Sequence, residues 1–328
     1  MLAFTIRRLG QSIVVLAAMA LIVFLGVYAI GNPVELLVNP MADEAERSRA
    51  TAALGLDKPV LEQFAIFLVR AAQGDLGRSF VYNIPAIQLI LDKLPATLEL
   101  AAVAMVIAIA LGIPLGLLAG LRPNSYLGRT IMAGSILGFS LPTFWVGLVL
   151  IMLFSVELGW LPSNGRGETV LLLGVPVSFL TVDGLKHLAM PALNLALFRL
   201  ALLIRLTRAS AREAALQDYV KFARAKGLAP TRVIGVHILK NIVIPIVTVI
   251  GLELGSVIAG AIVTETIFAW PGTGKLLIDS INQLDRPVIV AYLLVIVTIF
   301  IAINFAVDVL YSLLDPRVRL VAPAAAGH

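Results

Sequence analysis

Carboxylates standing inside long apolar runs are the residues of this chain whose chemistry most needs explaining. Glu253 lies deep in one such run, and Glu265, Asp308 and Glu99 lie nearer the ends of theirs. If the runs cross a bilayer, a charged side chain at the centre costs about 2.5–3.5 kcal/mol on insertion scales, so each carboxylate needs a compensating role. Two roles are open. Glu253, Glu265 and Asp308 can relay protons through a transporter, or they can face a wet cavity or a second subunit and tie helices together by hydrogen bonds. Other chemistry is poorly provided for. His187, His237 and His328 are far apart, which argues against a metal site or a histidine acid–base pair. Cysteine is absent, which removes disulfides, thiolate metal sites and cysteine nucleophiles. The run Pro271, Gly272, Thr273, Gly274, Lys275 reads briefly like a phosphate loop. It fails because the first glycine of such a motif falls at Ala269 and the position after the lysine is Leu276. No nucleophile and base converge, so no catalytic residue is assigned and an enzyme is the least supported class.

The elements that must position these residues follow from composition. Of the 328 residues 59% are hydrophobic and 14% charged, against about 45–50% and about 25% in an average soluble domain, so water is not the main solvent. A bilayer core of about 30 Å needs roughly 20 mostly apolar residues per helix. Six stretches qualify: 11–30, 97–120, 131–155, 189–206, 243–267 and 288–311. Arg7 and Arg8 precede the first, whose length exceeds a signal-peptide core and predicts an uncleaved span. The formal charge of +5 is therefore read by position rather than as a sign of nucleic-acid binding. Basic residues gather at the tip, in the loops near 121–130 and 205–241, and in the tail, which places both termini in the cytoplasm.

The remaining organisation is simple. A single transmembrane domain over 1–320 carries an extracytoplasmic insertion at 31–95 and a cytoplasmic loop at 205–241, and the Ala-rich end at 321–328 reads as disordered. Within the insertion, Val60, Leu61, Phe64, Phe67, Leu68 and Ala71 recur at helical spacing between Pro59 and Gly74. This stripe packs on its own bundle or meets a partner. Gly112, Gly116 and Gly120 line one face of the second span, with Gly134 and Gly138, and Gly251 and Gly255, repeating the pattern, which predicts close helix approach.

The 205–241 loop is the most informative segment. Good helix formers run from Ala211 to Lys226, end at Gly227, and are followed by Pro230 opening a second short helix toward Asn241. Two helices with a glycine joint make a rigid elbow, suited to receive a mechanical push from a soluble partner. A solvated basic loop touching anionic membrane lipid would account for the charge but not for the elbow.

That loop reads DYVKFARAKGL from Asp218 to Leu228, then His237 to Asn241, Ile244, Pro245, Val247 and Thr248. It resembles the cytoplasmic signature of binding-protein-dependent ABC importer permeases, in the form of the dipeptide, oligopeptide and nickel branch. LGLDKP at 54–59, QGDLGRSF at 73–80, GWLPSNG at 159–165, ETIFAWPGTGKL at 265–276 and DPRVR at 315–319 are similar to that branch's B-type subunit. The resemblance implies an all-α, type I ABC importer permease-like fold with six transmembrane helices in the bacterial cytoplasmic membrane. It implies as partners a second homologous permease, two cytoplasmic ATPases that hold ATP and magnesium, and an extracytoplasmic solute-binding protein, with no cofactor on this chain. Asp218, Tyr219, Ala223, Arg224, Ala225, Lys226 and Gly227 then dock into an ATPase, whose closure rocks the bundle between inward-open and outward-open states. Lys221, Phe222 and Ala223 replace the Glu-Ala-Ala of the wider motif, while Glu213, Ala214 and Ala215 spell it too far upstream. The expected cargo is a di- or oligopeptide; a nickel chelate, glutathione or another small solute fits the same architecture, and a proton-coupled secondary transporter is the alternative from another class.

Overall fold

Apolar runs of this length satisfy their backbone polar groups internally in lipid, which only helices and closed barrels achieve. The computed structural model describes residues 2–29, 43–53 and 57–314, and it is helical almost throughout. Asp308 lies in a described helix, but its side chain falls outside the described residues, as do the tail at 321–328 and the side chains of Arg7 and Arg8. The helices are α1 (Leu2–Ala29), α2 (Glu44–Ala53), α3 (Val60–Ala72), α4 (Ala86–Leu121), α5 (Tyr126–Ser140) and α6 (Thr143–Leu150), the last running on as a π-helical turn over Ile151–Glu157. A hairpin of β1 (Val170–Leu172) and β2 (Val175–Val177) follows, antiparallel with Leu171 opposite Pro176. Then come α7 (Val182–Ala215), α8 (Asp218–Ala225), α9 (Pro230–Arg232), a π-helical stretch at Val233–Leu239, α10 (Lys240–Ile267), α11 (Thr273–Asn282) and α12 (Arg286–Leu314).

Among the described residues four helical segments are long and apolar enough to cross a membrane: Ala86–Leu121, Val182–Ala215, Pro230–Ile267 and Arg286–Val307. Within α1 the apolar helical stretch is Gly10–Gly26. The third expected span, 131–155, falls on α5 and α6 with its π-helical continuation, which pass the same test together but are bent by 106°. Its break has a local cause. Leu141 precedes Pro142, whose ring drives the preceding residue out of the helical region, and Leu141 is extended at ψ 133. Pro95 and Pro114 lie inside α4, where a membrane helix tolerates them.

The chain forms two compact units. One takes the described residues within 1–92 together with 277–299. In it, Phe64 and Phe67 of α3 pack on Phe24 of α1 at centroid distances of 5.2 and 5.8 Å, so the apolar stripe of α3 is at least partly engaged with its own bundle. Leu61 on the same helix is 83% exposed. The buried Asp285 carboxylate accepts from the Ser79 hydroxyl at 2.5 Å and the Phe80 amide at 3.1 Å, which pins the QGDLGRSF segment.

The second unit takes 93–276 with the described residues from 300 on. The glycine faces do what their spacing predicts in two of three cases. A Cβ on Gly112 would lie 2.8 Å from the Leu203 Cβ, on Gly116 2.6 Å from the Thr207 Cβ, and on Gly120 2.8 Å from the Arg208 carbonyl, so α4 and α7 approach by these glycines. Gly255 likewise seats the Phe300 ring, with 2.6 Å left for a Cβ, and Gly251 faces Val307. Gly134 faces open space.

Candidate functional site

The elbow is built by three local rules. α7 stops at Ala215, and α8 begins three residues later, so the single helix expected over 211–226 is two helices joined through Leu216 and Gln217. The Leu216 and Gln217 amides close turns onto the Glu213 and Ala214 carbonyls at 3.2 Å. α8 ends in a Schellman motif: the Gly227 amide donates to the Arg224 carbonyl at 2.9 Å and the Leu228 amide to the Ala223 carbonyl at 3.3 Å, with Gly227 at φ +72°. Ala229 is then extended before Pro230, which starts the next helix. That helix is not short. It runs without a break through the π-helical stretch into α10 and continues to Ile267, so the elbow is joined directly to a membrane-crossing helix at each end.

Val220 and Ala223, three apart, are buried against Ala211, Ala214, Val233, Ile238, Ile242 and Ile246. Ala223 is thus a seat of the elbow rather than part of its open face. Asp218, Tyr219, Arg224, Ala225, Lys226 and Gly227 all stay exposed, together with Phe222 at 61%. The Lys226 ammonium lies 4.5 Å over the Phe222 ring, and Lys221 bonds Asp218 at 2.9 Å, holding the Asp218 carboxyl below its ordinary range by that hydrogen bond and charge. An exposed face mixing aromatic rings with cations on a rigid mount is suited to a protein contact.

Glu265 is fully buried and fully used. Its Oε1 accepts from the Thr97 hydroxyl at 2.7 Å, and its Oε2 from the Gly274 and Lys275 amides at 2.7 and 3.0 Å. Because the Thr97 proton points at Glu265, the Thr273 hydroxyl 3.0 Å away and the Thr273 amide at 2.8 Å both donate to Thr97. The PGTGK run is therefore an anion-binding helix start, as its composition hints, with a carboxylate of the same chain as its anion. A Cβ on Gly272 would overlap that carboxylate, and one on Gly274 would lie 2.7 Å from the Ile262 Cα. The Trp270 indole donates to the Ala96 carbonyl at 2.9 Å and closes the arrangement.

Glu99 forms a second such centre. Its Oε1 accepts from the Ser178 amide at 2.6 Å, the Ser178 hydroxyl and the Phe179 amide, and its Oε2 from Arg166 Nε at 2.9 Å and a terminal guanidinium nitrogen at 2.5 Å. Arg166 also bonds the Pro176 carbonyl at 2.6 Å, so the carboxylate gathers the hairpin and the loop before it onto α4. Sequence reasoning missed Arg166, Ser178 and Asp285. The one available signal was a lone charge beside an apolar segment, which does not name its partner.

Glu253 differs from both. Its side chain is 20% exposed, accepts from the Ser256 hydroxyl at 2.9 Å, and lies 3.7 Å from the buried Arg199 Nε, a charge pairing without a hydrogen bond. Arg199 bonds its own helix at the Leu195 carbonyl, 3.0 Å away. The structure therefore separates the predicted carboxylates: Glu265 is locked and Glu253 is partly open. Among the described residues no group of three His, Cys, Asp or Glu could hold a metal ion.

Membrane-crossing helices with an elbow mounted between two of them suit a transport permease. Comparison with known families agrees: residues 112–320 match the binding-protein-dependent transport system inner membrane component, and residues 1–101 match the N-terminal part of such components. The chain belongs to this family and is a multi-pass inner-membrane permease subunit. It is 41% identical to the di/tripeptide transport system permease of Pseudomonas aeruginosa (strain UCBPP-PA14), over 97% of this chain and 99% of that one. It is 38% identical to the glutathione transport system permease of Escherichia coli O6:H1, over 97% and 99%. The inward-facing MetNI methionine ABC transporter has a chain of like fold, with TM-score 0.56, 17% identity, and coverage of 70% of this chain and 97% of that one.

Proposed function

We propose that this chain is one of two related permeases in an ATP-driven importer that carries di- or oligopeptides into the cytoplasm. The observation that carries the coupling half of this reading is the elbow: a capped helix seated on Val220 and Ala223, exposed elsewhere, and joined to α7 and α10. Two ATPases that hold ATP and magnesium push on Asp218, Tyr219, Phe222 and Lys226, with Gly227 as the joint, and the helices on either side transmit the displacement. The segments at 31–95, 159–187 and 268–287 each lie outside, where a solute-binding protein docks, and both termini lie inside. Glu253, partly open in the membrane, faces the pathway. The peptide assignment follows the names of the relatives, and glutathione, itself a small peptide-like solute, is the second reading because one relative carries that name.

The proton-coupled alternative is weakened at one of its three residues, because a Glu265 carboxylate held by three donors is a poor carrier. The test is purification of the tagged protein from native membranes in mild detergent, identification of companions by mass spectrometry, and uptake of labelled dipeptide by the reconstituted assembly. A second permease with one or two ATPases and ATP-dependent dipeptide uptake is the expected result. Transport by this chain alone, driven by a proton gradient, would overturn the reading.

A further inference from the structure

We infer that the cleft beneath the elbow is a binding site for the phosphate of an anionic phospholipid. The cleft has a volume of about 430 Å³, inside the range of about 300–1,000 Å³ typical of small-ligand sites, and is lined by Leu118, Leu121, Arg122, Arg224, Pro230 and Val233 among others. Its charge is one-sided. Arg122 and Arg224 are its charged lining residues, no carboxylate joins them there, and neither forms an ion pair among the described residues. Two exposed guanidiniums on one cleft favour an anion with several oxygens, and a phosphate matches their planar donors.

The walls then decide the rest of the ligand. Arg122 directly follows α4, and Pro230 opens the helix that becomes α10, so the cleft lies at the ends of two segments long and apolar enough to cross a membrane. Leu118 and Leu121 continue the cleft down the last turn of α4, where Leu118 is 43% exposed. A free phosphate would leave these leucines wet. A phospholipid satisfies both parts, phosphate on Arg122 and Arg224 and acyl chains along α4, and basic residues at a membrane surface draw anionic lipid. The Arg122 carbonyl is held by the Ser125 hydroxyl at 2.7 Å and the Ser125 amide at 3.1 Å, so its backbone is fixed and the site is prebuilt on that side. Because Arg224 belongs to α8, a bound lipid reaches the elbow itself.

The test is native mass spectrometry of the whole transporter complex in detergent supplied with palmitoyl-oleoyl phosphatidylglycerol or the corresponding phosphatidylcholine. Arg122→Gln is compared with Arg122→Lys and with Arg129→Gln, an exposed arginine outside the cleft. Expected is a loss of about fivefold in retained phosphatidylglycerol for Arg122→Gln, the ratio that about 1 kcal/mol per basic residue gives. Arg122→Lys should lose less and Arg129→Gln little, and inorganic phosphate should not displace the lipid. Equal retention by Arg122→Gln, equal binding of phosphatidylcholine, or displacement by millimolar phosphate would overturn the lipid site. Lipid bound only after the ATPases are stripped away would also overturn it, and would assign the cleft to the ATPase contact.

Discussion

The Gly274 amide donates to Glu265 Oε2 at 2.7 Å, so the start of α11 is anchored on a carboxylate near the end of α10. The two residues lie nine apart, and between them the chain reverses through Ala269, at φ 45°, and Trp270. Three donors and a helix start compensate the charge of a carboxylate that burial would otherwise penalise. This is how the chain tolerates a buried glutamate.

Glu265→Ala should therefore act on stability first. It strands the Thr97 hydroxyl and the amides of Gly274 and Lys275, and each unsatisfied buried group costs about 1–3 kcal/mol. The thermal midpoint of the purified complex should fall sharply, and Glu265→Gln, which keeps an acceptor for Thr97, should fall less. A Glu265→Gln protein of unchanged midpoint with no uptake would instead mark the carboxyl as a proton carrier.

Gly227 tests the elbow. At φ +72° an L-residue costs about 1–2 kcal/mol, although nothing lies within 4 Å of the place its Cβ would take. Gly227→Ala should thus lower coupling modestly through strain. Gly227→Pro also removes the amide that bonds Arg224 and forces φ near −65°, so ATP hydrolysis should persist while uptake is lost. Normal uptake by Gly227→Pro in vesicles would remove the elbow from the coupling path.

Helix approach gives a paired test. Gly116→Val should drive α4 from α7, since a single Cβ already falls 2.6 Å from Thr207 and 2.8 Å from the Ile204 carbonyl. Overpacking of this kind costs about 1–3 kcal/mol, and folded yield in detergent should drop. Gly134→Ala meets open space and should change the midpoint little. Equal behaviour of the two would mean that the α4–α7 contact does not limit stability.

What was legible in the sequence follows a physical line. Long apolar runs must be helical in lipid, so the spans could be read directly, and glycines four apart pointed to close approach, which α4 and α10 make and Gly134 does not. Gly227 followed by Pro230 announced the joint because αL backbone and a first-turn proline each have few other uses. The break after Ala215 was hidden, since neither Leu216 nor Gln217 opposes a helix and only the burial of Val220 and Ala223 turns α8 onto its own axis. The bend at Pro142 was visible as a residue type, yet apolar composition on both sides masked it. Glu99 could be seen as a buried charge, but its partners stand 67 and 79 residues away, and separation of that order leaves no periodic trace.

That last pairing gives the final prediction. Arg166 and Glu99 are both largely buried, and removing one partner of such a pair leaves an uncompensated charge, at a cost of about 3–5 kcal/mol. The two losses should differ in kind. Without Arg166, Glu99 keeps three donors from Ser178 and Phe179; without Glu99, those donors lose their acceptor and Arg166 retains the Pro176 carbonyl and the Trp270 face 5.8 Å away. Glu99→Ala should therefore be the more damaging single change, and it should loosen the hairpin at 170–177, read as faster amide exchange there. In a cycle with Arg166→Ala, the double variant should be less destabilised than the two singles added together, by about 0.5–3 kcal/mol of coupling. Strict additivity in the unfolding midpoints would mean that the ion pair contributes nothing of its own, and that the carboxylate serves only to cap the backbone at Ser178 and Phe179.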